Sequence, residues 1–504
     1  MEDCMKKVNK IKREKRIYQK PLFYFSILVA LLLIVFILQI VKLGMIPVKF
    51  LAILIAMLVV LFLISFILMT RRRAGIFQKI FGFLIAMIIG LGSCLGTYYM
   101  HTTYNSLSMM TNSDGKINKV TSVYVLKNGT IETADDLSGR TVGIMKNFEE
   151  SKGATGIGKM LYDKGIEFEY KEYDSAIKMI KDLKGQAIEG IVIDQSYLST
   201  IEDFEEEKDI RQQIKPILDY KYYEKVQRQS EDAVDVTSKP FSVLISGIDT
   251  YGQIATTSRS DVNMIVVVNP TTHEILMVSI PRDYYVETRC ENDMGCAYGE
   301  MDKLTHTGLH GIETTEMTLE NLFDMKINYN ARVNFSSVVD IVDELGGVDV
   351  DNANSFSFGG YHFEPGRIHL DGKQALAFSR ERYSFVEGDR ERGRNQMRVM
   401  DGIIQKMISP QILKNFSGIL NAVGNSFQTN MSMKDMSALV NMQLSKGGSW
   451  KIYSCSVNGE GGTDFAYELG DNAYVMYPDK KTIVRAKENI DAVKNGDVPP
   501  YADK

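Results

Sequence analysis

Three apolar runs near the start of the chain, at residues 22–41, 50–70 and 80–100, constrain its folding more than anything that follows them. An α-helix needs about 20 apolar residues to cross the hydrocarbon core of a bilayer, and each run meets that length almost without polar interruption. Three such runs in succession read as three transmembrane helices occupying residues 22–101, behind a tail at 1–21. Lys6, Lys7, Lys10, Lys12, Arg13, Lys15, Arg16 and Lys20 precede the first run, and Arg71, Arg72, Arg73 and Lys79 separate the second from the third. The segment between the first two runs is far poorer in cations, so the positive-inside rule places the tail in the cytoplasm and everything after the third run outside. A cleaved signal peptide is not expected, because the first run is too long and two more follow it.

This topology narrows the possible partners. The chain of 504 residues carries 58 Lys+Arg against 63 Asp+Glu, a formal net charge of -5, which gives no global case for nucleic acid. Its basic tail is short, lacks a helix-turn-helix pattern and adjoins the membrane, where lysines meet anionic lipid. Chemistry on the outer side also lacks a pool of free ATP or NAD. Cys290 and Cys296, close together in CENDMGC, are expected to pair as a disulfide in an oxidising exterior. No Cys/His cluster has zinc-ligand spacing.

Beyond the spans the pattern is α/β. Residues 102–119 are polar and read as a spacer, and the stretch 102–223 alternates short strands with helices as a small accessory domain. Its acidic run, 202–209, reads as a solvated helix. A polar linker at 224–239 ends at Pro240, and residues 240–495 form a larger α/β/α domain around a central mixed β-sheet. The nearly continuous apolar strand FSVLISGID (241–249) suits a sheet covered on both faces. With VNMIVVVNP (262–270) and EILMVSIPRD (274–283) it makes a meander in mid-sheet. Helices are expected at 315–323, 336–345, 372–380, 395–408, from 410 to about 444, and at 480–492, with strands near 450–457 and 474–477.

Charge gathers where these strands end. Asp249 closes the first, Arg259 and Asp261 precede the second, and Arg282 and Asp283 follow the third. Strand ends along one edge of an α/β sheet form ligand crevices. The stretch AFSRERYSFVEGDRERGRNQ (377–396) adds Arg380, Arg382, Arg390, Arg392 and Arg394. Planar, permanently charged guanidinium suits phosphate or pyrophosphate. The competing reading is a salt-bridged surface, since Glu381, Glu387, Asp389 and Glu391 interleave with the arginines. Asp249 and Asp261 together could hold Mg²⁺.

Several phrases resemble the LytR-CpsA-Psr family in that family's order: SGID (246–249), SRSD (258–261), SIPRDYYV (279–286), KLTH (303–306), VDELGGVDV (342–350), LDGKQALAFSRER (370–382) and GDRERGRNQ (388–396). The similarity covers about 241–408, and the three spans with a small preceding domain resemble the capsule-type branch. It implies a membrane-anchored extracellular phosphotransferase that attaches an undecaprenyl-pyrophosphate-linked glycopolymer, in that branch capsular polysaccharide, to peptidoglycan. Its alternatives are a wall teichoic acid ligase and a polyprenyl-phosphate-binding regulator or scaffold of capsule synthesis. The implied metal ligands are Asp249 and Asp261, for Mg²⁺ or Mn²⁺ in its place. The implied pyrophosphate ligands are Arg259, Arg282, Arg380, Arg382, Arg392 and Gln396. Arg282, Asp283 and Asp389 would be catalytic, the carboxylates orienting arginines or assisting proton transfer. Asn395 stands where many members carry Arg, so Arg390 and Arg394 keep the salt-bridge reading. The implied partners are the lipid-linked polysaccharide, peptidoglycan, the membrane and other capsule-synthesis proteins, with an apolar tunnel for the polyprenyl chain.

Overall fold

The computed structural model describes residues 21–503 apart from 72–73, 112–115, 147, 149–150, 226–229, 231, 251–256, 292–295, 410–417, 423 and 425–426. Cys4, the cations at 6–20, Arg72, Arg73 and the start of the helix expected from 410 lie outside the described residues. The chain divides into two compact units. One holds the apolar helices as far as Asn105 together with Met436–Gly447, and the other comprises Ser106–Asp435 with Gly448–Lys504.

In the first unit, α1 (Pro21–Leu43), α2 (Val48–Thr70) and α3 (Ile76–Met110) are each long and apolar enough to cross a membrane. Val29, Leu33, Met69, Ala86 and Ile89 pack at their centre. Gly82 lets α3 approach α2 so closely that a Cβ there would lie 2.8 Å from Leu68 Cβ, and Ser65 Oγ donates to the Gly82 carbonyl at 2.7 Å. Small residues at a helix crossing with a hydroxyl across it are what packing in lipid favours. The third helix runs ten residues past the apolar stretch, into the part expected to be a polar spacer. Its polar side chains do not break it, because Thr102 Oγ1 donates back to the Tyr98 carbonyl four residues earlier at 2.9 Å.

Among the described residues the second unit contains two main sheets and four two-stranded ones. The smaller has β1 (Lys116–Leu126), β2 (Thr141–Met145), β3 (Glu169–Tyr173), β4 (Gly190–Asp194) and β5 (Ile214–Lys225) in the order β3-β2-β4-β1-β5. Helices α4 (Lys152–Asp163) and α5 (Ala176–Lys184) cover it, each started by a serine side chain, Ser151 or Ser175, that accepts from a first-turn N–H. Ile157 and Leu161 pack on one face, and Ile177, Ile180 and Leu183 on the other. The acidic run is not one helix. After α6 (Tyr197–Ile201) it breaks into turns before α7 (Ile210–Gln213), because Glu207 is drawn into a buried ion pair with Lys184 and Phe204 is pulled inward.

The larger sheet contains β6 (Phe241–Ile248), β7 (Val262–Asn269) and β8 (Glu274–Ile280), antiparallel neighbours as expected. The short β9 (Tyr285–Glu287) and β10 (Met301–Lys303) pair beside it, followed by α8 (Ile312–Phe323) and β11 (Tyr329–Asn334), which runs parallel to β6. Next come α9 (Phe335–Glu344), β12 (Val348–Asn352), β13 (Phe356–Phe358), β14 (Tyr361–Phe363), β15 (Gly366–Leu370), α10 (Gly372–Arg380) and α11 (Asp389–Met407). The chain closes with β16 (Phe427–Thr429), α12 (Met433–Lys446), β17 (Lys451–Ser456), the hairpin β18 (Gly459–Ala466) and β19 (Asp471–Pro478), and α13 (Lys480–Asn495). The sheet order is β16-β11-β6-β7-β8-β17.

Alternation along the strands gives each face its own core. Leu244, Ile265, Val267, Leu276 and Val278 pack beneath Leu319 and Phe323 of α8 and Ile483 and Ile490 of α13. Met264, Val266, Ile275 and Met277 meet Met397, Met400 and Ile404 of α11 on the opposite face. A large buried aliphatic or aromatic side chain contributes about 1.5–3 kcal/mol, so these faces hold the sheet. The helix expected to start at 395 begins at Asp389, since Asp389 and Glu391 in its first turn suit the positive helix end.

Glu316 on α8 departs from this apolar packing. Burial pushes its carboxyl up to about 8, against the hydrogen bond it accepts from Asn330, and the charges of Glu320 and Glu313 add to the rise. The folded state therefore holds a proton that the unfolded chain releases near 4.5, so this group's contribution to stability is lost as pH rises from about 4.5 through about 8. A Glu316→Gln variant is expected to flatten that decline, and melting temperatures measured across this pH range would check it.

Candidate anion site at the strand ends

The ends of β6, β7 and β8 place their charged residues on one side of the sheet. The loop before β7 is held by backbone bonds. Asp261 N–H donates to the Gly247 carbonyl at 2.8 Å, and Ser260 N–H donates to Thr305 O at 2.9 Å. Thr305 N–H in turn donates to Arg282 O at 2.9 Å, so the backbone of one residue ties the two arginine-bearing loops together. Gly308 permits this closeness, because a Cβ there would lie 2.6 Å from both the Ser258 carbonyl and the Ser260 nitrogen.

Arg259 and Arg282 are buried, at 6% and 9% exposure. Asp261 faces both: its Oδ1 accepts from Arg282 Nη1 at 2.7 Å and from Thr305 Oγ1 at 3.1 Å, and its Oδ2 lies 3.6 Å from Arg259 Nη2. Burial alone would raise the Asp261 carboxyl, but Arg259 and Arg282 outweigh it and hold it far below the usual carboxylate range. Burial likewise works against the charges of both arginines, and the facing carboxylates reverse the outcome and raise them. Asp283 is held below its ordinary value by Lys303 and Arg282 against the effect of burial, with Lys303 Nζ 2.7 Å from its Oδ1.

From the other side α11 supplies Arg392, ion-paired with Asp389 one turn earlier. Burial lowers Arg392, opposed by Asp389, and the neighbouring charges of Arg282, Asp261 and Arg382 also reach it. Gly393 lets α11 pack against β8, since a Cβ there would be 2.9 Å from Ser279 Oγ. A small pocket between these elements is lined by Asp261, Arg282, Asp389, Arg392 and Gln396. Gln396 Nε2 donates to the Ser379 carbonyl at 3.3 Å, tying α11 to α10.

The remaining residues expected here lie around this centre. Asp249 and Arg380 are exposed, and Arg380 stacks over Phe335 at 4.2 Å while its charge acts on Asp249. Arg382 turns to Tyr383, donating to its hydroxyl at 2.6 Å. Arg390 donates to the Gly459 carbonyl at 2.6 Å and lines the pocket, whereas Arg394 is held by Glu387 and Glu391. Cys290 and Cys296 are joined as a disulfide. Three further residues belong to the cluster. Lys303 and Thr305 both lie in KLTH, while Asp203, in the smaller α/β region, sits against Arg259. The last left no sequence signal, because its partner is 56 residues away and its own run looks like solvated surface.

Asp249 and Asp261 suit a divalent cation by their donor chemistry. Desolvation raises the Asp249 carboxyl, and the like charge of Asp261 raises it further, a repulsion that a bound cation would relieve. Among the described residues no group of three or more His, Cys, Asp or Glu side chains shares a metal-binding centre. A cation here would therefore take most of its oxygens from phosphate and water, as Mg²⁺ does.

The arrangement predicts its own fragility. Arg282→Ala would leave Asp261 buried beside a lost partner, costing about 3–5 kcal/mol, while Arg282→Met combined with Asp261→Asn should recover part of that loss. Denaturant unfolding of the single and double variants measures both.

Residues 212–491, more than half of the chain, match the model of the LytR_cpsA_psr family. The polyisoprenyl-teichoic acid–peptidoglycan teichoic acid transferase TagU of Enterococcus faecalis is 38% identical over 220 residues, 43% of this chain and 70% of that protein. Its namesake from Bacillus licheniformis is 36% identical over 211 residues, 42% of this chain and 66% of that one. The crystal structure of B. subtilis TagU aligns with 51% of this chain and 97% of its own at 31% identity, with a TM-score of 0.39.

Proposed function

We propose that this chain, which belongs to the LytR-CpsA-Psr family, transfers a polyisoprenyl-linked glycopolymer to peptidoglycan from a membrane-anchored domain outside the cell. The observation that carries the reading is the meeting of Arg259, Arg282 and Arg392 around Asp261 at the strand ends. Such a cluster suits a diphosphate, and apolar helices suit a protein whose substrate arrives on a lipid. The N-terminal cations argue for the outward orientation. The similar proteins named above are teichoic acid transferases, so a teichoic-acid-type polymer has better support than the capsular polysaccharide expected from the sequence.

In this reading a peptidoglycan hydroxyl oxygen attacks the phosphorus next to the polymer. A P–O bond forms there, the bridging P–O bond breaks, and polyprenyl phosphate leaves with the bridging oxygen. Arg259, Arg282, Arg380, Arg382 and Arg392 neutralise the phosphate oxygens, and Gln396 donates to them. Asp283, held ionised by Lys303, is a poor proton acceptor and serves to orient Arg282 and Lys303. Asp389 orients Arg392, lines the pocket, and in this reading receives the hydroxyl proton. Asp249 and Asp261 would hold Mg²⁺, which offsets charge on the leaving phosphate when bound.

Arg380 is exposed, so Arg380→Ala should melt within a few degrees of the parent while wall-bound polymer falls and polymer appears in the medium. Unchanged wall attachment would count against the transferase. Wall attachment retained in Asp249→Ala, with loss only of a regulatory response, would instead favour the regulator. Because Asp249 is raised, its affinity for Mg²⁺ should weaken on acidification at a higher pH than an ordinary aspartate would show, which titration calorimetry at several pH values reads directly.

A further inference from the structure

The carboxylate that closes the arginine cluster comes from the smaller sheet's side of the unit. Asp203 follows α6, and its Oδ2 accepts from Arg259 Nη1 while its Oδ1 lies 3.7 Å from Arg282 Nη2. One carboxylate thus spans the two buried guanidiniums, as two oxygens of a phosphate would. Its side chain is only 26% exposed, too little for an ordinary solvated surface pair.

The seat of this contact is built by neighbouring residues. Phe204 packs on Ala466, Leu469 and Ala473 at the tip of the β18–β19 hairpin. Ala176 N–H donates to the Leu469 carbonyl at 2.9 Å, and Tyr197 Oη donates to Glu468 Oε2 at 2.7 Å. Glu468 also meets His310 at 2.5 Å, and its own N–H donates to Asp302 Oδ2 at 2.8 Å, next to the lysine that holds Asp283. Gly470 is pressed so closely against the Asp174 carbonyl that no Cβ would fit. The docking therefore does not depend on Asp203, and the Asp203 side chain can let go of the arginines without dismantling it.

We infer that Asp203 is a built-in competitor for the anion site, so that diphosphate binds by exchanging with this carboxylate on Arg259 and Arg282. The inference rests on the diphosphate reading of the site and adds a role for the small domain. A site partly held by its own carboxylate binds ligand more weakly by the fraction of time it is closed. Any anion that must displace Asp203 is weakened by the same factor, so the carboxylate sets how tightly the site binds without changing its preference between diphosphate and monophosphate. The polyprenyl monophosphate left after transfer would be held less tightly for the same reason.

The test is calorimetric binding of inorganic pyrophosphate and inorganic phosphate to the full chain in detergent, for the parent, Asp203→Ala and the shape-preserving Asp203→Asn. Both variants are expected to bind pyrophosphate about tenfold tighter, which corresponds to about 1.4 kcal/mol, and to bind phosphate tighter by a similar factor. Adding Arg259→Ala to Asp203→Asn should remove the gain. Unchanged affinity would show the contact to be incidental, and weaker affinity would show that Asp203 positions the arginines; either overturns the competitor. Failure of the parent and both variants to bind pyrophosphate at all would instead sink the diphosphate reading itself.

Discussion

A guanidinium taken out of water must be met by a carboxylate, and much of the site's arrangement follows from that requirement. Arg259 and Arg282 are buried where two strand-end loops converge, and Asp261 lies between them. Three of the surrounding acids have a partner within reach: Asp283 meets Lys303, Asp389 meets Arg392, and Asp203 meets Arg259. The result is a cluster of oriented cations whose counter-charges stay in place, apart from the exchangeable Asp203. Such preorganisation allows an incoming anion to find donors already oriented.

Much of this was legible from the sequence because it is local. The meander of β6, β7 and β8 announces itself as three apolar runs with short connections, and the strand-end charges fall into place once the sheet is drawn. Helix α10 begins and ends where glycine and arginine suggest, with Asp371 as its cap. Less legible was whatever depends on distant partners. Asp203 and Glu207 sit in an acidic run that composition alone assigns to solvent, yet both are drawn into ion pairs by residues remote in sequence. The β18–β19 hairpin was only half visible, since the glycine-rich GEGGTDFA lacks the alternation that marks a strand. The polar extension of α3 is hidden for a third reason: hydroxyls that bond the preceding turn do not stop a helix.

The arginine-rich stretch divides by geometry. Arg394 lies among Glu387 and Glu391, a salt-bridged face, while two residues earlier Arg392 turns to the pocket. A helix makes this division simple, because positions two apart point in different directions. Arg390 takes a third course, pinning the start of β18 through the Gly459 carbonyl.

The backbone of Thr305 accepts a bond from Ser260 through its carbonyl and gives one to Arg282 through its N–H. Arg259 and Arg282, apart in sequence, are therefore carried on a common frame rather than on independent loops. Change at this turn would be inherited by both side chains together, so the two arginines are mechanically a single functional group. Their separate substitutions should show strong epistasis, and divergence at one would need to be matched at the other or at the turn that joins them.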